Sequence, residues 1–130
     1  AKDGNAVAIG YGNTASGDGA VALGDPNTAT GQGAVAIGYD STATGPGAVA
    51  LGSTATANGA SALAMGDTAN ATADNAIAFG ANATANFANS IALGAGSVTT
   101  VGALTNYQAY GLTAPQTSSG EVNVGNRQIT

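Results

Sequence analysis

The 130-residue chain contains no cysteine, no histidine and no tryptophan, and its only cations are Lys2 and Arg127. Each absence removes a class of function. Without histidine or cysteine there is no imidazole base, no thiolate nucleophile and no ordinary zinc site. Without cysteine there is also no disulfide framework, and the redox compartment stays open. Two cations against seven acidic residues give a net charge of −5, so a nucleic-acid backbone would find no electrostatic footprint. Apolar runs such as Ala20–Leu23 fall far short of the roughly 20 residues that a membrane helix needs. The chain opens at Ala1 with neither a basic n-region nor an apolar h-region. The expectation is that a leader has been removed or that this is a segment of a longer protein. The length allows one domain.

Large apolar side chains are scarce too. Val, Ile, Leu and Phe number 21 of 130 residues, below the roughly one-fifth share associated with disorder. What dominates instead is alanine (31 residues) and glycine (21), and glycine adds ordering entropy. Such a mixture in random order has no reason to fold. Order must come from arrangement, so internal repeats are the decisive feature.

The repeat has a fixed length. Val7-Ala8-Ile9-Gly10 recurs as Val21-Ala22-Leu23-Gly24, Val35-Ala36-Ile37-Gly38 and Val49-Ala50-Leu51-Gly52. It continues as Leu63-Ala64-Met65-Gly66, Ile77-Ala78-Phe79-Gly80 and Ile91-Ala92-Leu93-Gly94, a period of 14 without a slip. A weaker motif lies seven residues later: Thr14-Ala15-Ser16-Gly17, Thr28-Ala29-Thr30-Gly31, Thr42-Ala43-Thr44-Gly45 and Thr56-Ala57-Asn58-Gly59. It decays to Asn70-Ala71-Thr72 and Thr84-Ala85-Asn86, but its central alanine persists.

Fourteen residues are two heptads, which raises the possibility of a helix. Gly10, Gly12, Gly17 and Gly19 all fall in one such unit, and each would cost a helix about 1 kcal/mol. Val7 and Ile9 alternate with Ala6 and Ala8 at period 2, the signature of a strand. Two strands of about four or five residues and two glycine turns fill the unit. The chain is therefore expected to be all-β, a parallel β-roll or solenoid with one 14-residue coil per repeat.

Residue size assigns the faces. The two strands of a short coil meet across a thin interior, which alanine fits and isoleucine does not. The alanine ladders Ala8, Ala22, Ala36, Ala50, Ala64, Ala78 and Ala92, and Ala15, Ala29, Ala43, Ala57, Ala71 and Ala85, are expected inside the roll. Val7, Ile9, Val21, Leu23, Val35, Ile37, Val49, Leu51, Leu63, Met65, Ile77, Phe79, Ile91 and Leu93 then form one outward apolar stripe. Water is a poor neighbour for such a stripe, so it is expected to be an oligomer interface, buried most simply by parallel copies around a cyclic axis. The competing placement puts these large residues inside a self-sufficient monomer.

The period breaks after residue 94. Residues 1–102 read as the repeat roll of seven to eight coils, with Gly96–Gly102 a decayed eighth. Residues 103–120 read as an irregular cap or loop containing Leu104, Tyr107, Tyr110 and Leu112. Residues 121–130 read as an exit strand, in which Val122 and Val124 alternate.

With these features assembled, the sequence resembles a known family. Asn5-Ala6-Val7-Ala8-Ile9-Gly10 with Thr14-Ala15-Ser16-Gly17 looks like the 14-residue head repeat of YadA-like trimeric autotransporter adhesins. Val122-Asn123-Val124-Gly125-Asn126-Arg127-Gln128-Ile129-Thr130 looks like the start of the neck that joins such heads to a coiled-coil stalk, so Val124, Gly125, Asn126, Arg127 and Gln128 are candidate neck residues. The resemblance implies a left-handed roll assembled as a parallel homotrimer. It implies a place on the bacterial cell surface, with anchoring in the outer membrane through parts absent from this sequence. It further implies attachment to host cell surfaces or extracellular-matrix proteins, with no nucleic acid and no direct membrane contact by this segment. The departures are alanine for the leading serine at positions 6, 20, 34 and 48, and Ala73, Phe87 and Val101 where earlier coils carry glycine.

The remaining features read plainly. Asp18, Asp25, Asp40, Asp67 and Asp74 are expected at turns as solvated residues, since the Gly-Gly-x-Gly-x-Asp nonapeptide of calcium-binding rolls is missing. Gly17-Asp18-Gly19 has no following helix and no nearby lysine, so it is read as a turn rather than a phosphate cradle. Asn70-Ala71-Thr72 and Asn82-Ala83-Thr84 match a glycosylation acceptor pattern by coincidence of composition. Tyr11 and Tyr39 share one repeat position and are candidate ligand contacts, with exposed turn tyrosine as the simpler reading. Arg127 is expected to bond Glu121 or backbone carbonyls of a neighbouring chain. No catalytic, cofactor-binding or metal residues are assigned, and no enzyme is expected, because no base, nucleophile and orienting group converge. The alternatives to an adhesive head are a spacer without a ligand and an ice- or crystal-binding solenoid, the latter suggested by Thr28-Ala29-Thr30 and Thr42-Ala43-Thr44.

Overall fold

The computed structural model describes residues 1–2 and 5–130. Each repeat is one coil of a parallel β-solenoid. The first motif of each coil forms β1 (Val7–Gly10), β3 (Val21–Asp25), β5 (Val35–Tyr39), β7 (Val49–Ser53), β9 (Leu63–Met65), β11 (Ile77–Phe79) and β13 (Ile91–Leu93). The second motif forms β2 (Thr14–Ala15), β4 (Thr28–Ala29), β6 (Thr42–Ala43), β8 (Thr56–Ala57), β10 (Asn70–Ala71) and β12 (Thr84–Ala85). β14 (Val122–Asn123) follows the irregular segment. The first sheet runs β1-β3-β5-β7-β9-β11-β13-β14 and the second β2-β4-β6-β8-β10-β12, with neighbours parallel. Every repeat pairing joins residues 14 apart, as in Val7↔Val21 and Ala15↔Ala29. Residues sharing one repeat position therefore form straight columns across the sheets.

The interior holds four columns rather than two. Those led by Ala8 and Ala15 are inside; Ala8 itself is half-buried at the open first coil, and the remaining alanines of both columns through Ala85 and Ala92 are buried. Two further columns join them. One runs Ala6, Ala20, Ala34, Ala48, Ala62, Ala76 and Ser90; the other runs Asn13, Asn27, Ser41, Ala55, Ala69, Ala83 and Ser97. Each coil thus points four small side chains inward, and the core consists almost wholly of alanine methyls. Larger inward groups would force the layers apart.

The second strands are two residues long, shorter than the four or five expected. The chain turns directly after each Thr-Ala pair. Ala20 donates its N–H to Gly17 O at 2.9 Å, and this bond recurs down to Ser90 on Phe87 O at 3.3 Å. The third residue of each turn has positive φ, in the pattern of a type II turn: Gly19, Gly33 and Gly47, then Ser61, Asn75 and Asn89. The turn keeps its shape although Ala73 and Phe87 stand where earlier coils have glycine.

The turn after each first strand is closed in two ways. In the early coils a side chain bridges it. Asn27 is 1% exposed, its Nδ2 donates to Leu23 O (3.0 Å) and Gly38 O (2.8 Å), and its Oδ1 accepts the N–H of Ser41 (2.8 Å). Asn13 repeats this pattern on Ile9 O, Gly24 O and the N–H of Asn27, while Ser41 donates to Gly52 O. From the fifth coil the backbone closes the turn, through Ala69 N–H on Gly66 O, Ala83 N–H on Gly80 O and Ser97 N–H on Gly94 O. The change coincides with strand length. β3, β5 and β7 have five residues and β9, β11 and β13 have three.

Ser97–Thr99 is the second half of the seventh coil rather than an eighth. Val98 bridges Thr84, and Thr99 fills the inward Ala15 column. The chain then makes an excursion, tied by reciprocal bonds between Tyr107 and Gln116, before it returns. The expected exit strand shrinks to β14, which lies on β13 with Ile91↔Val122 and Ala92↔Asn123 in register. Glu121 secures the return: its carboxylate accepts the N–H groups of Thr100, Val101 (2.9 Å) and Gly102 (3.1 Å). Within the chain the Glu121 carboxylate bonds these N–H groups and not Arg127.

Candidate interaction surfaces

Alternation along the first-motif strands sends Ala8 inward and Val7 and Ile9 outward, and register repeats this in every coil. The outer face of the first sheet therefore carries two apolar columns. In the first, Val21, Val35, Val49, Leu63, Ile77 and Ile91 are half-buried by their neighbours, and Val7 at the open end is exposed. In the second, Ile9, Leu23, Phe79 and Leu93 are exposed, and Ile37, Leu51 and Met65 are half-buried. Ile9 on the end strand β1 is 58% exposed, and Phe79 inside the stack is still 46% exposed. A continuous stripe of this kind is what a soluble monomer avoids.

The outer face of the second sheet is different in chemistry. Thr14, Thr28, Thr42, Thr56, Asn70 and Thr84 form its first column. Beside it stand Ser16, Thr30, Thr44, Asn58, Thr72, Asn86 and Thr100. The threonine array is interrupted by Asn58, Asn70 and Asn86, and Thr44 spends its hydroxyl on Asn58 Oδ1 at 2.9 Å.

The candidate neck residues lie at the far end. Val124 is half-buried, Gly125 has φ +65° and donates to Asn123 Oδ1 at 2.8 Å, and Asn126 and Gln128 are exposed. Arg127 packs its guanidinium over Gly94 and donates to Ala95 O (2.8 Å), Val124 O (3.0 Å) and Ser97 Oγ (3.3 Å). Within its own chain it thus bonds two backbone carbonyls and one hydroxyl. The interior columns led by Asn13 and Ala6 and the Glu121 seat were missed by sequence reasoning. The recurring Asn or Ser three residues after the invariant glycine was the available signal for the first.

The family model described as YadA head domain repeat (2 copies) matches residues 4–25, 29–55, 57–83 and 71–97. No curated protein matches the chain.

Proposed function

The chain belongs to the YadA head domain repeat family, and from that premise we propose that it is the head segment of a trimeric autotransporter adhesin. Three parallel copies pack their Val/Ile stripes together around a common axis. The rigid trimer is displayed on the bacterial cell surface and attaches to host cells or extracellular-matrix proteins. The observation that carries this reading is the two-column apolar face, which the fold leaves outside an interior already filled by alanine. Trimerisation also provides the functional logic. A repeated surface presented three times gains avidity from contacts that are individually weak.

The test is attachment of beads coated with the protein to a panel of immobilised matrix proteins and to cultured cells. Binding to one or more of these surfaces, lost when Val35→Asp and Ile37→Asp disrupt the assembly, is the expected result. A correctly assembled trimer that binds nothing on the panel would point to the spacer reading instead.

A further inference from the structure

A third outward column borders the apolar face where the first turn begins. It runs Tyr11, Asp25, Tyr39, Ser53, Asp67, Ala81 and Ala95. Asp25 is in register with Tyr39, and Tyr11 donates its N–H to Gly24 O, one rung away. Tyr11 is 78% and Tyr39 57% exposed, and Asp25 between them is exposed as well. The turn does not require aromatic residues here, since five coils fill the same position with serine, aspartate or alanine. Pro26 and Asp40 are exposed in the adjoining column.

The spacing has a chemical meaning. Rungs of a sheet are about 4.8 Å apart, so Asp25 is flanked at that spacing by the Tyr11 rung and the Tyr39 rung. Rungs this close allow a cation at the carboxylate to come within the roughly 6 Å over which an aromatic face attracts it. The carboxylate provides the opposite charge, and the rings provide the walls. The chain's own cations do not fill the position. Arg127 is engaged at the other end, and Lys2 stands on the second sheet with its N–H on Ala15 O. The net charge of −5 also favours a basic partner.

We propose that Tyr11, Asp25 and Tyr39 form a receptor site for an arginine or lysine side chain of a basic polypeptide. The proposal deepens the adhesive reading by naming the chemistry of a partner, yet the site lies within one chain and does not depend on trimer formation.

A peptide of alternating arginine and glycine is titrated into the protein while the ring resonances of Tyr11 and Tyr39 are followed by NMR. The same peptide with citrulline in place of arginine serves as the uncharged comparison. The arginine peptide is expected to shift both rings saturably, and the citrulline peptide is not. Tyr11→Ser with Tyr39→Ser uses a residue that coil four already carries, and is expected to weaken binding about tenfold. Asp25→Asn is expected to weaken it similarly, whereas Asp67→Asn, in the same column between Ser53 and Ala81, leaves it unchanged. Equal binding of the citrulline peptide, equal losses from Asp25→Asn and Asp67→Asn, or ring shifts produced instead by an uncharged linear glycan would overturn the proposal. Sedimentation of the same samples reports the trimer separately, so a monomer that still binds the arginine peptide would contradict the assembly and leave the site intact.

Discussion

At the residue scale, two kinds of position with positive φ behave differently. Gly10, Gly24, Gly38, Gly52, Gly66, Gly80 and Gly94 have φ between 107° and 148°, a region closed to other residues. A Cβ on Gly38 would lie 1.7 Å from Gly52 O, whereas one on Gly33 would meet nothing within 4 Å. Gly38→Ala should therefore prevent stacking at that coil, while Gly33→Ala should cost only the left-handed backbone penalty of about 1 kcal/mol. Chemical denaturation of the two variants separates these outcomes. Thr54 is a β-branched residue held at φ 53°. Thr54→Gly should raise stability by about 1 kcal/mol, because glycine removes that strain. The invariant glycine was legible from its recurrence alone. Thr54 was not, because a left-handed threonine leaves no compositional trace.

At the element scale, the repeat length and the alternation of large and small residues were enough to read parallel coils from the sequence. They were not enough to read strand length. That depends on how the turn after each first strand closes, and an inward Asn13 or Asn27 closes it by side-chain bonds that resemble an ordinary polar turn in sequence. The two missed interior columns have the same origin. The inward side chains were assigned only to the central alanine of each motif, so the Ala6 and Asn13 columns beside them were not counted. Asn27→Ala leaves Leu23 O, Gly38 O and the Ser41 N–H without that partner and should lower stability by about 1–3 kcal/mol, measurable as a reduced melting temperature. The same substitution is already present as Ala69 and Ala83, where backbone bonds close the turn. Coils five and six should therefore tolerate exchanges at this column better than coil two does.

At the scale of the whole molecule, the scarcity of large apolar residues and the abundance of alanine describe one design. A coil only two thin layers thick has room for methyl groups and a few small polar side chains, so its larger apolar residues face outward. The exit of the chain was legible as a strand, although only Val122–Asn123 pairs with the sheet. The Glu121 seat on Thr100, Val101 and Gly102 was not, since it joins segments separated by an irregular excursion. Removing the outward stripe should leave the alanine interior without its cover. Val35→Asp with Ile37→Asp should dissociate or unfold the assembly, whereas Thr30→Asp on the polar face should leave it intact, as read by circular dichroism and size-exclusion chromatography. Sedimentation equilibrium on the unmodified protein tests the central claim most directly. A single species of about 36 kDa, three times the 12.1 kDa chain, is predicted, and a folded, non-associating species of 12.1 kDa would contradict it.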